Sequence, residues 1–177
     1  MADTPIIVKN RQFNLYMKSA AAQFKLVQFT DKVDDKRSEL NYYVLVDAAK
    51  AIEGKEKAYD WKNKIVLRLG VTDMGVFLNG MRIGFDGAKE LNFKGEPKTF
   101  EIFHDRGKGG PTEGQHTTAM SISKGQSYGY MMSFRMKENG VSTSFSVPLG
   151  NEQLVILKLL FEEAVKLMCG FYASEKF

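Results

Sequence analysis

The sequence predicts an α+β architecture of two four-stranded antiparallel sheets and two helices, with the order strand-strand-strand-strand-helix taken twice. Two observations predict it. Short stretches of alternating apolar and polar residues recur with the period of two that marks half-buried strands, and in each half a stretch of helical spacing follows the fourth of them. A third observation joins the halves: no Pro/Ser-rich linker separates them, so residues 1–177 are read as a single domain, although the halves share no evident sequence repeat.

In the first half, alternation starts at Lys9. Phe13, Leu15 and Met17 face one way, and Gln12, Asn14, Tyr16 and Lys18 face the other. Ala22, Phe24 and Leu26 oppose Gln23 and Lys25 in a second strand or a bent continuation of the first. The charged run TDKVDDKRSE (30–39) nearly balances its signs and reads as a hydrophilic turn. Leu40, Tyr42, Val44 and Val46 then alternate with Asn41, Tyr43 and Asp47, and AAKAIEGKEKA (48–58) follows as a loop or short helical turn. Ile65, Leu67, Leu69 and Val71 alternate with Val66, Arg68 and Gly70 in the fourth strand. The stretch TDMGVFL (72–78) opens with capping-competent residues and closes at Asn79-Gly80, which predicts a short helix.

The Gly- and Lys-rich stretch 81–99 is a long connection with room for a small hairpin. FEIFH (100–104) is a strand, DRGKGGPTEGQ (105–115) a glycine-rich loop and TTAMSIS (117–123) another strand. Tyr128, Tyr130, Met132, Phe134 and Met136 face inward against Gly129, Met131, Ser133, Arg135 and Lys137, and Glu138-Asn139-Gly140 marks a hairpin turn. Val141, Thr143, Phe145 and Val147 alternate with serines until Pro148 ends the strand.

The last element, NEQLVILKLLFEEAVKLMCGF (151–171), is a helix with Asn151 as its cap and Gly170 as a left-handed stop. Leu154, Leu157, Phe161, Val165 and Met168 form an apolar stripe, widened by Val155, Leu159, Leu160 and Leu167. One sheet covers only part of that girth. The stripe therefore predicts an assembly helix that joins copies of the chain while closing the core, and the alternative is a helix sunk within one monomer.

Composition excludes several classes. No segment approaches the ~18 uninterrupted apolar residues of a membrane span, so a soluble protein without a membrane partner is expected. MADTPIIVKNRQF has neither a signal peptide's apolar run nor the look of a transit peptide, which leaves the compartment open. The single cysteine, Cys169, has no partner for an intrachain disulfide and fits a reducing, intracellular setting. Two histidines and one cysteine assemble no usual zinc set, and no metal or other cofactor is predicted, although carboxylate sites stay open. The net charge of +4 and pI near 9.0 permit an anionic partner without demanding one.

No catalytic residue is predicted. His104 with Asp105 has no nucleophile or second base beside it in sequence, so hydrogen bonding that orders the adjoining loop is the expected role. Arg106-Gly107-Lys108-Gly109-Gly110 lacks the spacing and following helix of a phosphate-binding loop, which leaves it as a basic loop able to touch nucleic acid. Basic and aromatic residues do interleave on the polar strand faces. The first sheet offers Lys9, Arg11, Tyr16, Lys18, Gln23, Lys25, Tyr43, Trp61, Lys62, Lys64 and Arg68, and the second offers Phe103, Arg135 and Lys137. Cations that follow phosphates and rings that stack bases are what binding a single strand requires. Ordinary solvated strand faces give the same pattern, and Tyr59 and Trp61 also suit packing in the core.

Several segments together carry a family resemblance. AYDWKNKIVLRLGVTDMGVFLNG, FEIFHD followed by EGQ, SYGYMMSF, FSVPL and the closing helix through Met168-Cys169-Gly170-Phe171 resemble, in order, the Whirly family of single-stranded DNA-binding proteins. The family's Lys-Gly-Lys-Ala-Ala-Leu-Ser-like motif falls on Met17 to Gln23, where the paired alanines are Ala20 and Ala21 and Ser19 replaces the lysine before them. In the family that motif is tied to nucleic-acid binding and to assembly of tetramers into larger particles. The connection after Gly80 is longer than in the family. The resemblance implies a homotetramer held by the carboxy-terminal helix that binds single-stranded DNA with little sequence preference and protects or organises it in replication, repair, recombination or transcription. It implies a plastid, mitochondrion or nucleus as the compartment. Trypanosomal mitochondrial RNA-binding proteins share the fold, so an RNA-binding or annealing protein is the alternative, and a non-catalytic assembly scaffold is a third.

Overall fold

Eight strands and two helices follow one another as the alternation requires. They are β1 (Ile6–Tyr16), β2 (Ala20–Lys32), β3 (Ser38–Lys50), β4 (Ile65–Leu69), α1 (Val71–Arg82), β5 (Glu101–Asp105), β6 (His116–Lys124), β7 (Tyr130–Glu138), β8 (Val141–Leu149) and α2 (Asn151–Met168). The computed structural model describes residues 6–32, 38–92, 94–96, 99–125 and 129–170, and within these the side chains of 6–11, 30–32, 38–40 and Ala88 are not described. The strands form two antiparallel sheets, β1-β2-β3-β4 and β5-β6-β7-β8. The predicted architecture is therefore the observed one.

Register decides which side chains each face presents. In the first sheet Leu15, Ala22, Ala48 and Ile65 lie in one cross-strand row and are buried, and the next row, Asn14, Gln23, Asp47 and Val66, belongs to the other face. The inner faces of both sheets and one side of each helix share a single core. A chain of rings runs through it. Phe161 of α2 meets Phe24 at 6.0 Å and Phe77 of α1 at 4.6 Å, Phe77 meets Phe85 at 5.6 Å, and Phe85 meets Phe100 and Tyr130 of the second half at 5.6 and 5.5 Å. Edge-to-face pairs of this kind link the two halves through aromatic contact. Gly80 makes room for them, since a Cβ there would lie 2.5 Å from the Phe85 ring and 2.9 Å from that of Phe100.

The structure corrects several boundaries. The second stretch is a strand of its own, and the charged run 30–39 is not a turn throughout, because β2 continues to Lys32 and β3 starts at Ser38. Val71 does not end a strand. The Asp73 carboxylate accepts the Gly70 N–H at 2.9 Å, which turns the extended chain into α1 at Val71, and the helix passes through Asn79-Gly80 to Arg82. The connection after it holds a 3-10 turn at Gly87–Lys89 and a tight turn in which the Asn92 side chain accepts the N–H groups of Lys94 and Glu96 at 2.8 and 3.0 Å. Residues 48–58 divide, with Ala48 to Lys50 completing β3 and turns following.

Pro148 stays within β8 rather than ending it. β8 is the last strand of its sheet, where one side of the backbone is unpaired and a missing N–H costs no ladder bond. The turn before it is as expected, with Asn139 and Gly140 both at positive φ, 49° and 82°. At the start of α2 the cap is Gly150, whose N–H is accepted by the Gln153 side chain at 2.7 Å, and Asn151 is the first helical residue. Gly170, at φ +67°, adopts the left-handed conformation after α2, while Phe171 and Tyr128 fall outside the described residues.

The stripe assigned to assembly divides. Leu157 and Phe161 are fully buried in the core of their own chain, and Leu154, Val165 and Met168 are half-buried against it. The apolar side chains that α2 leaves exposed are Val155, Ile156 and Leu159, at 56%, 44% and 60%. Rotation of the helix explains the change: α2 packs against β1, β3 and α1, so the face centred on Leu157 turns inward. Among the described residues no helix is long and apolar enough to cross a membrane.

Candidate nucleic-acid interface

The outer face of the first sheet is built by β2, β3 and β4. Lys25, Leu45 and Arg68 are cross-strand partners, and Val27 and Tyr43 form the next row. Because β2 runs on past Leu26, Phe29 comes to the same face. The Arg68 guanidinium then stacks over two rings, its carbon 4.2 Å from the Tyr43 centroid and 4.7 Å from that of Phe29, with the rings 5.2 Å apart. Arg68 is exposed, so it presents a flat cation on an aromatic base. Phe29 was missed in the sequence because the second strand was read as ending at Leu26; continuing its period of two would have found it.

Two of the expected cations on this face are committed elsewhere. Lys25 and Lys64 hold one oxygen of Asp47 at 2.8 and 3.0 Å, and Asp47 is only 2% exposed. Asp47 Oδ1 has no hydrogen-bond partner among the described residues. A buried carboxylate flanked by two ammonium groups draws them into an internal ion pair, which leaves less of their charge for phosphates. Lys9 and Arg11 lie on β1, but their side chains are outside the described residues.

A second cluster closes one end of the same sheet. Tyr16 is 52% exposed, its hydroxyl accepts from Gln23 Nε2 at 2.9 Å, and its ring lies 5.7 Å from that of Tyr59. Tyr59 donates to the Met17 carbonyl at 2.9 Å and meets Trp61 edge-on at 6.1 Å. Trp61 opens a 3-10 turn capped by Asp60, which also carries exposed Lys62. Tyr59 and Trp61 are half-buried, so they neither sink into the core nor stand free. Lys18 is exposed in the turn between β1 and β2.

The second sheet is sparser. Phe103, Ala119, Arg135 and Ser144 form one cross-strand row, and Lys137 lies in the next beside Thr117 and Ser142. Phe103 is 58% exposed, and Arg135 is paired with Glu101. Among the described residues the candidates thus fall into three groups, two on the first sheet and one on the second.

The expectation for His104 and Asp105 separates into two roles. Asp105 orders the glycine-rich loop by accepting the N–H groups of Gly107 and Gly114 at 2.9 and 2.8 Å. His104 reaches instead to Asp73 Oδ2 at 3.1 Å and ties β5 to the start of α1. That hydrogen bond raises the imidazole above its ordinary range against an opposing effect of burial. Burial pushes the Asp73 carboxyl up, but the hydrogen bonds from His104 and the Gly70 N–H, with the charge of His104, outweigh it and hold the group below its ordinary value. Among the described residues no three His, Cys, Asp or Glu side chains are grouped to hold a metal ion.

Known proteins resemble this one in sequence pattern and in fold. The family model described as Whirly transcription factor matches residues 15–160. No curated protein sequence matches significantly. The crystal structure of WHY1 from Arabidopsis thaliana superposes with a TM-score of 0.69 at 19% identity, covering 97% of this chain and 89% of that one. The plant transcriptional regulator PBF-2 gives 0.69 at 18%, covering 97% and 86%, and trypanosomal MRP1/MRP2 gives 0.51 at 9%, covering 97% and 90%. At these identities the structural likeness concerns the fold alone.

Proposed function

We propose a function from one premise: the chain belongs to the Whirly family. It is a non-catalytic single-stranded DNA-binding protein with little sequence preference, which protects or organises exposed strands during replication, repair, recombination or transcription. The observation that carries this reading is Arg68 of the edge strand β4 stacked over Tyr43 of β3 and Phe29 of β2 on the outer sheet face. A flat cation lying on aromatic rings offers a surface for an unpaired base and a charge for its phosphate at the same place. Tyr16 and Trp61 extend the stacking surface, and Lys18 and Lys62 supply further charge.

Copies of the chain join through α2 in a homotetramer. Val155, Ile156 and Leu159, exposed side by side on one helix, support this, because an apolar strip of that kind gains by contact with its own copy. Titration of a labelled strand of ~30 nucleotides, followed by fluorescence anisotropy at two salt concentrations with duplex and RNA competitors, tests the reading. Preference for single-stranded DNA, weakening as salt rises, supports it. Stronger competition by RNA transfers the fold to an RNA ligand, and no binding at low salt by an intact oligomer overturns it.

A further inference from the structure

We propose that the cleft at the Tyr16 end of the first sheet is a pocket for one unstacked nucleotide, in which a single base leaves the strand and its phosphate meets lysines. The inference rests on the single-strand reading above and gives it a defined subsite. The cleft has a volume of about 1100 Å³ and lies between the turn after β1 and the turns after β3.

The cleft is lined by Tyr16, Met17 and Lys18 on one side and by the chain that follows β3, from Ala51 to Trp61, on the other, while Ala21 and Ala49, in the same cross-strand row as Tyr16, are fully covered. The walls are held in place. Ala51 N–H bonds the Ser19 carbonyl at 2.9 Å, Ile52 N–H bonds the Ala58 carbonyl at 2.8 Å, and the Tyr59 hydroxyl fixes the opposite turn through Met17. The cleft therefore does not have to be assembled by its ligand.

The lining suits a nucleotide in both of its parts. Tyr16, Tyr59 and Trp61 line it in sequence of contact, and Ile52, 37% exposed, adds an apolar edge, which together offer a base both faces and edges to pack against. Lys18, Lys55 and Lys57 line it too, against Glu53 and Glu56, leaving an excess of positive charge for a phosphate. A base alone would not use the lysines, and an acidic peptide would not use the ladder of rings.

Trp61 is the chain's single tryptophan, so its emission reports on this cleft. Thymidine monophosphate is titrated into the full chain, followed by a ~30-nucleotide thymidine strand whose anisotropy is read alongside, the length exceeding a single subsite. We expect saturable quenching by both. Tyr16→Ala should weaken the monophosphate titration about tenfold, the size of losing one base–aromatic stack, and Ile52→Glu, which sets a carboxylate at the apolar edge of the cleft, should weaken it as well. Inorganic phosphate should compete only weakly. If the strand raises anisotropy while neither ligand moves Trp61 emission, the cleft is not a nucleotide pocket and the single-strand reading survives. Unchanged quenching in both variants overturns the cleft as well. Quenching by the monophosphate with no strand binding keeps the pocket and sinks the single-strand reading.

Discussion

Phe161 of α2 meets Phe77 of α1 edge to face, ring centroids 4.6 Å apart and planes at 77°, and this contact anchors the carboxy-terminal helix in the core of its own chain. One helix therefore faces two ways. Leu157 and Phe161 serve the monomer, and Val155, Ile156 and Leu159 remain for contact outside it. Leu157→Glu buries a carboxylate among apolar side chains, so it should cost more than about 3 kcal/mol and unfold the chain, read as a lost cooperative melt. Leu159→Glu lies on the exposed side and should leave the stability of a single chain within about 0.5 kcal/mol. Under the proposed assembly through α2 its effect falls on the oligomer. Light scattering should show a smaller particle for Leu159→Glu, and an unchanged mass would remove α2 from the oligomer contact.

Arg68 is expected to act through shape as well as charge. Arg68→Ala should weaken single-strand binding by roughly 1–2 kcal/mol, about 5- to 30-fold, and reduce the dependence of log Kd on log salt by somewhat under one unit. Arg68→Lys keeps the charge and loses the plane that lies on Tyr43 and Phe29. Anisotropy should therefore find the lysine variant restoring the salt slope but only part of the affinity. Full restoration would reduce Arg68 to a point charge.

The strands were legible because a half-buried sheet writes its period of two into the sequence, and Leu15, Phe24, Val46, Leu67 and Phe134 sit where that period put them. What lay outside local pattern was not. Asp47 reads as a polar residue on a solvent face, yet the pairing of β2, β3 and β4 brings Lys25 and Lys64 onto it and buries it. The start of α1 depends on one side-chain hydrogen bond from Gly70 to Asp73, and the orientation of α2 on which faces β1, β3 and α1 offer it. The binding set was read as a list of residue types. The fold sorts that list into stacked, ion-paired and exposed members, and adds Phe29.

Two glycines of α1 should respond oppositely to one methyl group. A Cβ at Gly75 meets nothing within 4 Å, so Gly75→Ala should stabilise by about 0.5–1 kcal/mol through lower chain entropy and better helix propensity. At Gly80 the same methyl lies 2.5 Å from the Phe85 ring, which is itself wedged between Phe77, Phe100 and Tyr130. Gly80→Ala should destabilise by roughly 1–3 kcal/mol, because no ring in that cluster has room to retreat. Urea midpoints measured side by side decide it. Gly80→Ala at or above the wild-type midpoint would mean that the ring chain is looser than its contacts indicate.

The His104–Asp73 pair makes part of the stability depend on pH, and the sign follows from the two shifts. His104 is raised above 6.5, so its contribution is fully present below pH 6.5 and is lost as pH rises through its folded pKa. Asp73 is held below 3.8, so its contribution is present above pH 3.8 and is lost as pH falls through its folded pKa. The contact is therefore strongest between these limits, with imidazolium against carboxylate across the joint between β5 and α1. Side-chain exposures of 30% and 25% let water screen it, which keeps its worth to about 1 kcal/mol or less. Against His104→Gln, the wild type should show its greatest advantage in urea midpoint near about pH 5 and lose most of it by about pH 8. An advantage that stayed level over that range would show that the imidazole holds the helix start by its neutral hydrogen bond alone.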